Sequence, residues 1–320
     1  MAIAVSNILR SVYRSQRADI DKLNILTMCR NNEKYIALLA QTQHNFYIHN
    51  THVWNTSIEK RPSNVYTFLD NFEPIDYIIC YDRAEQYEEA LIISRQLHVP
   101  IITVDMCSRP LIRPHHLLEH MNPVDTNQLN RNVSLQICNS KHIATSWNTN
   151  IPSITIPIGI NINKFQNQKL DQTIISMDNN TIPQVGMAIA KQIQNLYNVI
   201  PTDHENLDDI AVNKTRYFIN TNRSITIKTL EAMAARNVVI CMRNVDTENF
   251  ISDKKTGILI NTLEDLPQTI ALLENSNDIR TKISEQAHQK IVLEHSMENF
   301  LTQWSFAFNM VKSVFYNHPT

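Results

Sequence analysis

Lys228 and Glu231 stand one helical turn apart, directly behind a polar run at residues 220–226 (NTNRSIT). On a helix that spacing puts both side chains on one face. A cation suits phosphate and a carboxylate suits ribose hydroxyls, so the pair has the chemistry of a nucleotide site. The polar run supplies Asn222, Arg223, Ser224, Ile225 and Thr226 where a strand passes into a helix. Backbone N–H groups at a helix start attract phosphate. Parallel α/β sheets collect ligands where strand C-termini and helix N-termini converge. A solvated Lys–Glu pair on an ordinary amphipathic helix is the plain alternative.

The elements that would position these residues follow from periodicity. Residues 217–260 read as strand, helix, strand, helix, strand. Upstream, strands are expected at 23–28, 45–48, 77–80, 99–104, 135–139 and 153–158, with helices at 31–41 and 84–97. A second series of strands starts at 173–177 and recurs near Tyr197, Tyr217, Val238 and Gly257. Helices at 263–273 and 278–293 follow, and a last amphipathic helix runs from Met297 to about Tyr316. Alternation of this kind implies an α/β fold with parallel sheets covered on both faces.

Composition excludes several classes. The 320 residues suffice for two domains. A hydrophobic share of 43% and a charged share of 19% fit a soluble globular chain. The net charge of −2 gives no global attraction to nucleic acid or anionic lipid. Only three glycines occur (Gly159, Gly186, Gly257), so there is neither a G-x-G-x-x-G turn nor a Walker A loop. Nicotinamide-dependent dehydrogenases and P-loop NTPases are poor readings. The five cysteines, widely spaced and without C-x-x-C, suggest neither a disulfide framework nor a zinc knuckle, and reduced thiols imply a cytoplasmic setting. No apolar run reaches the length of a membrane span. The N-terminal stretch mixes Ile3, Ile8 and Leu9 with Arg10, Arg14 and Arg17. It is a weak signal-peptide candidate, and of an amphipathic surface-seeking helix and a leader helix packed on the fold it reads better as the second.

Glu231-Ala232-Met233-Ala234 followed by Val238-Val239-Ile240, and the later turn Lys254-Lys255-Thr256-Gly257-Ile258-Leu259, resemble the nucleotide-sugar half of GT-B glycosyltransferases. The segment Pro157-Ile158-Gly159-Ile160-Asn161 resembles the place where such chains cross from the first domain to the second. The resemblance implies two Rossmann-like domains facing across a cleft: 1–160 on the acceptor side, 161–296 for the nucleotide-sugar, and 297–320 as a helix packing back on the first. It implies that Glu231 holds the donor ribose. Arg223 stands where the commoner motif has a second Glu, and Asn179-Asn180 replaces a Gly/Arg phosphate loop. The local spelling Ile225-Thr226-Ile227-Lys228-x-x-Glu231 is closer to phage DNA β-glucosyltransferases, in which a basic residue at the Lys228 position contacts the diphosphate.

The same likeness points to Asp105, at the end of the strand Ile101-Ile102-Thr103-Val104, as the base that takes the acceptor proton. A strand-end Asp capping its turn is the alternative. Arg30, with Asn31 and Asn32, and His44, Arg109 and Arg113 are candidate acceptor-side groups. His116, Glu119 and His120 spell H-x-x-E-H, a zinc-hydrolase signature, but Pro114 and Pro123 leave room for about two turns of helix. The resulting expectation is a glycosyltransferase using a nucleotide-sugar, first of all a UDP-sugar, with no further cofactor and no metal. Its acceptor hydroxyl would lie on a modified base of phage DNA or on a glycan. Catalytically silent ligand binding and zinc hydrolysis are the competing readings.

Overall fold

The computed structural model describes residues 22–28, 32–49, 52–68, 74–81, 86–108, 133–165, 174–178, 193, 198–202, 213–220, 222 and 224–317. Seven strands form the first sheet: β1 (Asn24–Thr27), β2 (Asn45–Ile48), β3 (Val65–Thr67), β4 (Tyr77–Cys80), β5 (Ile101–Asp105), β6 (Val133–Cys138) and β7 (Ser153–Thr155), in the order β3-β2-β1-β4-β5-β6-β7. Five more form the second: β8 (Ile174–Asp178), β9 (Asn198–Thr202), β10 (Tyr217–Asn220), β11 (Val238–Met242) and β12 (Ile258–Ile260), in the order β12-β11-β10-β8-β9. Every pairing is parallel.

The strand sequences explain this. NILT, YIIC and IITVD are buried along their whole length, as strands covered by helices on both faces must be. Edge strand β3 has two of its three residues exposed and is too short to show a period, so the sequence does not announce it. Helix α1 (Glu33–Ala40) follows β1, and α2 (Tyr87–Leu97) follows β4. Helix α3 (Lys141–Trp147), unforeseen from the sequence, is capped by Ser140, whose hydroxyl accepts the Ile143 N–H at 3.2 Å. In the second half come α4 (Ile227–Ala234), α5 (Val245–Phe250), α6 (Leu266–Glu274), α7 (Asn277–Glu294) and α8 (Met297–Asn317).

The chain passes between the sheets through Gly159, where a Cβ would meet Phe300 Cβ at 2.6 Å. Helix α8 then packs on the first sheet. The Phe308 ring stacks parallel to Tyr77 of β4 at 6.2 Å, and Trp304 and Phe308 are fully buried. Among the described residues no helix is long and apolar enough to cross a membrane, and the four described cysteines are free.

Strand order decides where ligands can go. It reverses between β1 and β4 in the first sheet, and between β8 and β10 in the second. Each reversal opens a crevice at the strand C-termini. The helices leaving β1 and β10 are α1 and α4.

Candidate functional site

The polar run after β10 is organised by Asn220. Its side-chain oxygen accepts the Asn222 N–H at 2.9 Å, and its amide donates to the Ser224 carbonyl at 3.0 Å. Short Asn side chains stabilise such turns by replacing backbone partners. Thr226 then caps α4, its hydroxyl accepting the Thr229 N–H at 3.3 Å. Residues 228–234 of α4 are all buried, so the helix is held on every side.

Glu231 is where the two halves meet. Lys34, on α1, donates to both of its carboxylate oxygens, at 2.8 and 2.6 Å, with side-chain exposures of 12% and 11%. The pair lies on the wall of a cavity of about 530 Å³. Four cations (Lys34, Lys60, Arg61, Lys164) and two carboxylates (Glu59, Glu231) line it, so it favours an anion. Ile227 faces this cavity too, whereas Ile225 and Leu230 face a second one of about 310 Å³ on the other flank of α4. The sequence pointed to Lys228 as the partner in chemistry. Lys228 is buried, 6% exposed, and lines neither cavity.

The other expected residues fall out as follows. Asp105 ends β5 but is 4% exposed, and its Oδ2 accepts a hydrogen bond from Gln136 Nε2 at 2.7 Å. Gln136 in turn accepts from Thr149 at 2.7 Å. Asp105 therefore belongs to a buried hydrogen-bonded chain and lines neither of the two cavities; its neighbour Met106 lines the smaller one. His44 precedes β2, at the N-terminal edge of the first sheet, opposite the edge where ligands collect. Its Nδ1 accepts the Leu23 N–H at 3.4 Å and its half-buried ring meets Phe308 edge-on, away from both cavities. Burial holds its pKa below the ordinary value, against the pull of Asp76. Arg30, Arg109, Arg113, Arg223, Asn179 and Asn180 lie outside the described residues, as do His116, Glu119, His120 and the N-terminal stretch. Among the described residues no group of three or more His, Cys, Asp or Glu is placed to hold a metal.

Sequence reasoning missed Lys34, although its place on the helix after the first strand is a signal of the same kind as the one that drew attention to α4. It also missed the smaller cavity's polar wall: Asn139, His142 and Asp246.

Residues 208–305 match the family model described as "Glycosyl transferase-like". Solved structures extend the likeness to nearly the whole chain. Anabaena Alr3699/HepE in complex with UDP superposes with a TM-score of 0.69 at 12% identity, covering 90% of this chain and 100% of that one. A glycosyltransferase from Rickettsia africae gives 0.65 at 13% identity, over 91% of this chain and 99% of that one. This chain has the GT-B glycosyltransferase fold. Sucrose-phosphate synthase from Thermosynechococcus elongatus superposes with a TM-score of 0.67 at 10% identity, over 92% and 100% of the two chains. No curated protein sequence matches. Within the GT-B fold, the matched residues 208–305 contain β10, the polar turn, α4 and the Glu231 carboxylate.

Proposed function

We propose that the chain transfers a sugar from a UDP-linked donor to an acceptor hydroxyl. The observation that carries this reading is the Glu231 carboxylate on the wall of a cation-rich cavity, one turn into the helix that leaves the strand-order reversal of the second sheet. The HepE structures that share the fold hold UDP and UDP-glucose, which supports the choice of donor. In this reading Glu231 accepts hydrogen bonds from the ribose hydroxyls. Lys34, Lys60, Arg61 and Lys164, the cations that line the cavity, offset diphosphate charge. The end of the turn, at Ser224, Ile225 and Thr226, leads into the start of α4, where backbone N–H groups attract phosphate. Residues 1–160 carry the acceptor side, 161–296 the donor side, and 297–320 the returning helix.

Asp105 enters as the proposed base through its place at the end of β5. Asp105→Asn is the test: turnover lost with UDP affinity intact supports the role, and full turnover removes it. The acceptor is a hydroxyl on a glycan or a modified DNA base, and a panel of both kinds distinguishes them. Catalytically silent donor binding is the second reading, favoured by Arg223 in the place of a motif Glu. UDP-glucose turnover separates the two. The donor site itself is tested by isothermal titration with UDP. Wild type should bind and Glu231→Ala should bind about tenfold or more weakly; equal affinity would remove Glu231 from the site.

A further inference from the structure

The smaller cavity lies between the C-terminal ends of β5 and β6 and the helix α5 that follows β11. Its polar wall is incomplete. Asp246 is 6% exposed; its Oδ2 accepts the Ser108 N–H at 3.0 Å, while its Oδ1 has no hydrogen-bond partner. His142 Nε2 lies 3.4 Å from that oxygen, out of hydrogen-bond alignment, and is itself buried and unpartnered. Both amide atoms of Asn139 are in the same condition. Buried polar atoms left without partners are costly, and native proteins keep few of them. Here donors (Asn139 Nδ2, His142 Nε2) and acceptors (Asn139 Oδ1, Asp246 Oδ1) are gathered on one wall. The rest of the lining joins apolar Ile158, Ile225, Leu230 and the Phe250 ring to polar Lys141, Asn249 and His295.

A sugar ring has the matching surface: hydroxyls that donate and accept together on its rim, and a C–H face that packs on an aromatic ring. The volume of about 310 Å³ is at the low end for small-molecule sites, which run from about 300 to 1,000 Å³. Lys141 and Asp246 line the cavity together, so their charges balance and the lining carries no net charge. The contrast with the cation-rich cavity on the other flank of α4 divides the charges as a nucleotide-sugar reaction requires, the anionic part on one side and the neutral part on the other.

We propose that this cavity binds one neutral sugar ring through Asn139, His142 and Asp246. The proposal rests on the glycosyl-transfer reading and deepens it. The ring has two sources, the sugar of the donor or a terminal sugar of the acceptor. The test is saturation-transfer NMR with methyl glucoside, galactoside and N-acetylglucosaminide, beside titrations of UDP and UDP-glucose, on wild type, Asn139→Leu and His142→Ala. Circular dichroism confirms that each variant folds.

If the donor sugar occupies the cavity, UDP-glucose binds wild type more tightly than UDP does, and both variants lose that margin while keeping UDP affinity. If an acceptor sugar occupies it, UDP and UDP-glucose bind all three proteins alike, and a methyl glycoside signal seen with wild type falls at least about tenfold in the variants. A cavity that makes no difference to glycoside or UDP-glucose binding in either variant overturns the proposal while leaving the donor site standing. Failure of UDP to bind wild type refutes the donor reading instead, and the glycoside signals then decide the cavity alone.

Discussion

Lys34→Ala is the perturbation with the widest reach, because Lys34 joins α1 to Glu231 across the two sheets. At side-chain exposures of 12% and 11% the pair is nearly buried, so removing one partner strands a charge in poor solvent. Breaking a buried pair costs about 3–5 kcal/mol. The remaining exposure lets water reach the carboxylate and reduces the expected cost to about 2–3 kcal/mol. At roughly 2–4 °C per kcal/mol for a chain of this order, Tm should fall by about 5–10 °C. Glu231→Gln alone should cost a similar amount by stranding the ammonium. Lys34→Ala combined with Glu231→Gln leaves neither charge and should recover part of the loss, a coupling of about 1–3 kcal/mol. Urea unfolding of the four proteins in a double-mutant cycle measures it. Single-variant losses below about 0.5 kcal/mol that simply add would refute the claim that this contact joins the halves. UDP added to wild type should raise Tm as the ligand concentration exceeds Kd, and should do so less in Lys34→Ala.

Further outcomes follow from local geometry. Thr226→Ala removes the cap of α4 and should cost about 1 kcal/mol in urea unfolding, with a weaker UDP titration beside it. Gly159→Ala places a methyl within 2.6 Å of Phe300 Cβ and 2.9 Å of Met297 Sδ, so it should destabilise by about 1–3 kcal/mol; an unchanged Tm would mean that α8 yields freely. Burial lowers the pKa of both His44 and His295 from the ordinary 6.5, the Ile158 carbonyl pulling His295 part of the way back. The unfolded chain therefore takes up protons that the fold refuses, so stability is full above about pH 6.5 and declines toward acid. His295→Gln should flatten the fall in unfolding free energy between about pH 7 and 5.5, and an unaltered slope would count against it. Burial also pushes the Cys241 thiol up to about 12, so iodoacetamide should label half-buried Cys107 well before Cys241.

Much of the fold is legible locally. β2 and β4 begin and end at residues 45–48 and 77–80 as the sequence leads one to expect, because parallel strands buried on both faces are mostly apolar, as Phe46-Tyr47-Ile48 and Tyr77-Ile78-Ile79-Cys80 are. The alternation through β10, α4, β11, α5 and β12 follows from periodicity, Asn220 and the Thr226 cap. Short elements escaped. β3 has one buried residue in three, and α3 is seven residues long, starting at a cap with no long periodic stretch behind it. Asp105 shows the limit at a single position. The sequence puts it at a strand end, and only Gln136, on the neighbouring strand, turns its carboxylate into a buried partner rather than a cavity wall.

By itself the sequence determined the class of fold, the strand-to-helix turn at 220–226 and the identity of Glu231 as its carboxylate. These depend on neighbours within a few residues, and propensity, capping and hydrophobic period act over that range. The tertiary structure decided what Glu231 meets. Lys34 lies 197 positions away along the chain, and Ser108 reaches Asp246 across 138. Such pairs arise because folding brings the C-terminal end of β1 to the helix after β10, and the end of β5 to the helix after β11. No local pattern encodes that encounter, because the burial that makes the pairs strong comes into being only when the two sheets pack.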